Sequence, residues 1–271
     1  MKAIADFAAQ GTTTLFQPED GPPTPESPLQ KRLATLVGVV AFGLPIIMAL
    51  GALIGTDCFR DSISHFYYAP FLGPVFVGMV AFIGGFLIAY TGEHWLEDLG
   101  ATVAGFGAFA VAVFPTSGRG CEKADAFATR LFVDYTHAAD PVLVTIKGRG
   151  YFQLFEKVED LHVWGAALLF IYLGLYCLLV LKRIVPTRHL QANELVATKR
   201  RRNTLYTVCG LVILSCVALL GWYGQIASTS TQDAWNAANL TFIVETLALW
   251  AFGVAWVAKG RKFSALNDAG T

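Results

Sequence analysis

The sequence predicts an all-α, polytopic membrane protein: a bundle of six transmembrane helices with both termini in the cytoplasm. Three observations carry this. Of 271 residues, 55% are hydrophobic and only 15% charged, with mean hydropathy +0.52, whereas soluble domains average about a quarter charged residues. Six segments stay apolar over about the 20 residues that a helix needs to cross ~30 Å of hydrocarbon. Lys and Arg also gather in the connections that an even number of crossings places on one side. The segments are rich in Leu, Val, Ala, Phe and Gly. They lack the strands of about ten alternating residues that a membrane barrel needs. Twenty basic and twenty acidic residues balance to zero, so no basic field points to nucleic acid.

Residues 1–32 include "QPEDGPPTPESP", too Pro-rich and too poor in apolar side chains to fold alone, and read as a flexible cytoplasmic tail. No basic start followed by an apolar core occurs there, so no cleaved signal peptide is expected. The six spans fall near 33–54, 71–90, 99–114, 163–181, 205–222 and 240–258, within a transmembrane domain over 33–258. Residues 259–271 form a short cytoplasmic tail. Lys31, Arg32, Lys182, Arg183, Arg188, the basic run 199–202, Lys259, Arg261 and Lys262 then share the inner side. The outer side receives 57–70, an extended loop over 115–161, and 223–239. The expected location is the cell inner (plasma) membrane. Part of the long loop, about 124–135, is expected to form a short helix lying over the bundle as a lid.

Five cysteines divide by depth. Cys177, Cys209 and Cys216 lie within spans and read as buried small hydrophobes. Cys58 and Cys121 each follow the outer end of a span, where an oxidising compartment permits a disulfide. A Cys58–Cys121 bridge would close about sixty residues, worth roughly 4 kcal/mol by chain entropy; two unrelated thiols are the alternative. No CxxC pair, HExxH or Gly-rich phosphate loop occurs, so no metal and no cofactor are expected.

Polar residues near the outer face are the candidates for function. The stretch "RDSISHFYYAP" places Asp61, Ser62, Ser64 and His65 in the first outer loop. His162 opens span four, with Gly165, Ala166, Leu169, Tyr172 and Tyr176 on its helical face; the small residues let a neighbouring helix approach. Glu245 lies about 10 Å down span six at 1.5 Å per residue. A carboxylate at that depth costs about 2–3 kcal/mol unless partnered. Three distant segments thus bring acid, hydroxyl and imidazole groups to one outward vestibule. If acyl chemistry occurs there, His162 is the base and Ser62 or Ser64 the nucleophile. The competing reading makes Asp61 and Ser62 caps for span two and the other polar groups packing devices. Tyr67, Tyr68, Trp222 and Tyr223 read as interfacial aromatics. On the inner side Glu93, His94, Glu97 and Asp98 form an acidic turn expected to pair with the basic run 199–202.

The order of motifs is also informative: "SIS" in the first outer loop, a Gly-rich third helix ending in "FPT", a fourth opening with "LHVWGAALLF", then "RRRNTLYTVCG" and "VETLALWAFGVAW". In this order the chain resembles a group of uncharacterised bacterial six-helix membrane proteins. More distantly, over about 33–259, it is similar to the damage-regulated autophagy modulator type of six-helix membrane protein. The resemblance implies a six-helix fold and a link to lipid remodelling, and matches Ser62, Ser64, His162 and Glu245 to the group's recurrent polar positions. The extended loop 115–161 departs from that pattern.

The functional expectation is an outward polar pocket that binds a lipid or other amphiphile, with membrane lipids as partners. The alternatives are a membrane-embedded enzyme acting on a lipid-like substrate and a proton- or ion-coupled carrier with Glu245 as its titrating group. The absence of an internal repeat weighs against the carrier.

Overall fold

The structure, a computed structural model, describes residues 27–55, 58–69, 71–114, 116, 144–146, 149–151, 158–184, 189–191 and 194–267. Six of its helices are long and apolar enough to cross a membrane. In chain order the long helices are α1 (Pro28–Ile54), α2 (Leu72–Ala89), α3 (Trp95–Val113), α4 (Val158–Leu175, continued by a π-turn over Tyr176–Val180), α5 (Ala197–Gln225) and α7 (Leu240–Lys259). A short helix, α6 (Thr229–Ala237), joins α5 to α7. Two small antiparallel hairpins, Val144–Ile146 with Arg149–Tyr151 and Leu190–Gln191 with Glu194–Leu195, lie outside the helices.

Capping and propensity explain where the helices outrun the apolar segments. Helix α1 begins at Pro28, inside the expected tail. There the Ser27 hydroxyl accepts from the Gln30 N–H, the Gln30 side chain accepts from the Ser27 N–H, and Pro fills the first turn. Helix α5 starts at Ala197, carrying the basic run 199–202 in its first turns, because Lys and Arg are strong helix formers whatever their hydropathy. The expected outer loop 223–239 is mostly helical as well. Ser228 caps α6, and Asn239 adopts the left-handed backbone (φ 52°) that turns the chain into α7. Lys259, placed in the tail by hydropathy, is the last residue of α7. The lid helix expected over 124–135 lies outside the described residues.

The helices pack as a closed ring in chain order, α1 to α5, with α7 shut against both α5 and α1. Its core holds Leu44, Met48, Phe76, Ile83, Leu173, Tyr176, Phe252 and Trp256. Outward, every span leaves apolar side chains exposed, among them Leu50, Phe82, Phe106, Trp164, Leu211 and Leu247. A surface this apolar is stable only against hydrocarbon or another protein, and six spans choose the membrane. Close approach of α3 and α4 depends on Gly107 and Gly165: a Cβ on either would sit 2.7 Å from the other's carbonyl oxygen. That contact holds His162, one turn above Gly165, beside the end of α3.

Cys58 is half of a disulfide, while Cys177, Cys209 and Cys216 are buried free thiols. The expected partner, Cys121, lies outside the described residues. An unreduced digest should give the Cys58 peptide joined to the Cys121 peptide; a Cys58 peptide linked to any other thiol would rule the pairing out.

Candidate functional site

Between α1 and α2 the chain does not pass over the bundle as an exposed loop. It dips into the ring end opposite the termini and winds through a 3₁₀ turn, Ser64–Tyr68. Apolar anchoring explains the dip. Ile63, Phe66, Tyr67 and Ala69 are buried, and Phe66 and Phe59 pack on Phe242 at the start of α7. Arg60 is buried with them, its guanidinium 5.9 Å from the Phe66 ring centre. Two expectations are corrected. Tyr67 is not an interfacial aromatic: it is 2% exposed and its hydroxyl donates to the Val113 carbonyl. Tyr68's side chain lies outside the described residues. Nor do Asp61 and Ser62 cap α2, because the 3₁₀ turn intervenes and Phe71 occupies the cap position.

Glu245 explains why the loop stays down. One carboxylate oxygen accepts from the Ile63 N–H at 2.6 Å, and the Ser62 hydroxyl lies 2.9 Å from both oxygens. Beside this, the Asp61 carbonyl accepts from the Phe242 N–H at 2.7 Å, satisfying a donor that the first turn of α7 would otherwise leave open. The Asp61 carboxylate pairs with His65 Nδ1 at 2.5 Å, across one turn. A carboxyl that costs energy in hydrocarbon is thereby converted into an anchor for the loop, accepting from its Ile63 N–H and its Ser62 hydroxyl.

Ser64 and His162 form the second half of the centre. His162 Nε2 lies 2.9 Å from Ser64 Oγ, and His162 Nδ1 lies 2.7 Å from the Phe114 carbonyl oxygen. A carbonyl only accepts, so Nδ1 carries the hydrogen, and in the neutral ring Nε2 is left as the acceptor for the Ser64 hydroxyl. The pairing separates the two candidate serines. Ser62 is 3% exposed and its hydroxyl points to Glu245, whereas Ser64 keeps partial exposure and faces the imidazole. The two halves are linked, since the Ser64 N–H donates to Ser62 Oγ at 3.2 Å.

All six residues singled out in the sequence, Asp61, Ser62, Ser64, His65, His162 and Glu245, therefore stand at one end of the ring. Glu245 and His162 meet the loop from opposite sides, with Ser62 and Ser64 between them. Sequence reading missed Arg60, treated as part of an exposed loop, and the Phe114 carbonyl, which no side-chain pattern can reveal. Among the described residues no three His, Cys, Asp or Glu side chains are grouped to hold a metal.

At the termini end, the acidic turn pairs with Arg183. Its guanidinium donates to Glu93 at 2.5 Å and also engages Glu97, which is 2% exposed. The basic run was the expected partner. Its members Lys199 and Arg202 instead turn inward, their side chains donating to the Leu181 and Leu266 carbonyls. Burial pushes the Lys182 ammonium down from the ordinary lysine range. The chain matches no protein-family description, no curated protein and no solved structure with which it was compared.

Proposed function

We propose that this protein binds the polar head of a membrane amphiphile at the loop-lined end of the ring and cleaves or transfers an acyl group there. Ser64 is the nucleophile and His162 the base. The observation that carries this reading is the Ser64 Oγ–His162 Nε2 contact, with the opposite ring nitrogen fixed by the Phe114 carbonyl. A hydroxyl, a base and a group that orients the base are what serine activation requires. In the step proposed, Ser64 Oγ bonds to the acyl carbon as its proton passes to Nε2, and the departing alkoxide takes that proton. Water then releases the acid, or a second alcohol accepts the acyl group. The positive-inside rule puts this centre on the outer side of the plasma membrane, with both termini in the cytoplasm.

A fluorophosphonate probe tests the chemistry without knowledge of the substrate. Purified wild-type protein should be labelled at Ser64. Labelling should vanish in Ser64→Ala, persist in Ser62→Ala, and slow by about 100-fold or more in His162→Gln, the scale of a lost general base. Labelling unchanged by Ser64→Ala would sink the proposal.

A second reading, binding without chemistry, is favoured by one observation: Glu245, Ser62, Asp61 and His65 all bond one another or the loop. Native mass spectrometry distinguishes the two. A retained amphiphile in a protein that the probe never labels would establish the binding role alone.

A further inference from the structure

Two histidines stand at the loop-lined end of the ring, and the acyl-transfer step uses only His162. The other, His65, belongs to the same 3₁₀ turn as Ser64. Its Nδ1 lies 2.5 Å from the Asp61 carboxylate. An ionised carboxylate only accepts, so Nδ1 carries the ring hydrogen, and in the neutral ring Nε2 keeps its lone pair. Among the described residues that nitrogen meets no hydrogen-bond partner. The His65 side chain is 12% exposed and Ser64 is likewise part-open, whereas Asp61, Ser62 and His162 are buried. The open edge of the site therefore runs along Ser64 and His65.

The two imidazoles are held differently. His162 is 3% exposed, both its nitrogens are occupied, and its orienting group, the Phe114 carbonyl, carries no net charge. His65 has one nitrogen at an opening, and its orienting group is a carboxylate. Such a group fixes the tautomer and balances the imidazolium that forms when the ring takes a proton. A loop tether needs neither the opening nor the free nitrogen; a base for a molecule arriving from solvent needs both. Ser64 is not that molecule. Consecutive residues of a 3₁₀ turn are rotated by about 120°, no hydrogen bond joins the His65 ring to Ser64 Oγ, and that hydroxyl already faces His162. Yet His65 stands at the site and not behind the loop, within electrostatic reach of both His162 and Glu245. A base beside the nucleophile but not bonded to it suits a small molecule that must approach an acyl group on Ser64.

We propose that His65, oriented by Asp61, is a second catalytic base, which activates the water or alcohol that takes the acyl group from Ser64; this rests on the acyl-transfer reading and completes it. The oxygen of the incoming molecule bonds to the acyl carbon while its proton passes to His65 Nε2. The bond from the acyl carbon to Ser64 Oγ then breaks, and a proton from His65 is returned to Oγ through solvent at the open edge. Water yields the free acid and an alcohol yields a new ester, with Ser64 and both histidines restored. His162 acts in the first half of the cycle and His65 in the second, so the two halves can be disabled separately.

The test mixes the purified full chain in detergent with p-nitrophenyl octanoate in buffer containing glycerol, and follows p-nitrophenolate through the first turnover and the steady state. Wild type should turn over continuously. His65→Gln should keep first-turnover release and fluorophosphonate labelling of Ser64 at the wild-type rate. Its steady-state turnover should fall by about 100-fold or more, the scale of a lost general base, and intact mass should show an octanoyl adduct on Ser64. Hydroxylamine, a nucleophile that needs no base, should release that adduct from variant and wild type at similar rates. Rates are referred to the fraction labelled at Ser64, so unfolded protein does not count; if His65→Gln fails to fold, His65→Asn takes its place. Turnover that survives in the variant, or first-turnover release that falls along with it, overturns the role of His65. So does an adduct that hydroxylamine fails to release, which would mean a collapsed site. Failure of the acyl-transfer reading looks different, because wild type itself then carries no Ser64 label, and both proposals fall together.

Discussion

Replacing Arg183 with alanine should be the most destabilising single substitution in the described part of the chain, lowering stability by about 3–5 kcal/mol, the range for stranding one partner of a buried ion pair. Arg183 holds Glu93 and Glu97 together, and Glu97 has almost no access to solvent. Without the guanidinium, the Glu97 carboxylate stays in the first turn of α3 with no counter-ion. For a domain of this size the loss corresponds to a thermal midpoint roughly 10 °C lower in detergent. The informative control removes both charges. Arg183→Met combined with Glu97→Leu should recover most of the loss, because an apolar pair of similar volume carries no desolvation cost. Recovery of less than half would mean that Arg183 stabilises through something other than its carboxylates. An Arg183→Ala protein as stable as wild type would show that the pair contributes nothing.

Glu245→Ala should have the largest effect on the candidate site. Removing the carboxylate strands the Ile63 N–H and the Ser62 hydroxyl, two buried donors whose loss costs about 1–3 kcal/mol each. The stability change is therefore expected near 2–6 kcal/mol, concentrated in the loop and not spread through the ring. Amide exchange at Ile63 should accelerate by more than tenfold, while core amides such as Leu173 keep their protection. Because Ser64 hangs from the same loop, fluorophosphonate labelling should fall with it. Glu245→Gln retains an acceptor oxygen for the Ile63 N–H and should restore most of the exchange protection and of the labelling. That rescue separates a positioning role from a proton-carrying one. Loss of labelling in Glu245→Gln with the Ile63 amide still protected would contradict the anchoring role.

These two expectations mark what could and could not be read in the sequence. Six apolar helices follow from composition and segment length, since hydrocarbon leaves a spanning chain few other ways to satisfy its backbone. That Glu245 needs a partner follows as well: an isolated carboxyl in an apolar helix is costly wherever the helix packs. His162 on a face of small residues carried the same kind of information, because close helix crossings depend on residue size. Helix ends were read less well. Hydropathy stops at the first charge, while Ser27 and Gln30, or the strong helix formers of the basic run, extend α1 and α5 past it.

Only the tertiary structure decided the partners. Nothing in "RDSISHFYYAP" shows that Ser62 faces Glu245 while Ser64 faces His162. That division depends on a 3₁₀ turn pinned by Phe59 and Phe66 against a helix almost two hundred residues further along the chain. The acidic turn found Arg183 instead of the basic run for a similar reason: α5 starts earlier than its apolar core, which carries Lys199 and Arg202 inward. Lys259 looked like a tail residue until α2, α4 and α7 closed around it. Composition sets which groups must be buried; which groups they meet depends on helix packing, and contacts between residues so far apart in the chain leave no local pattern to read.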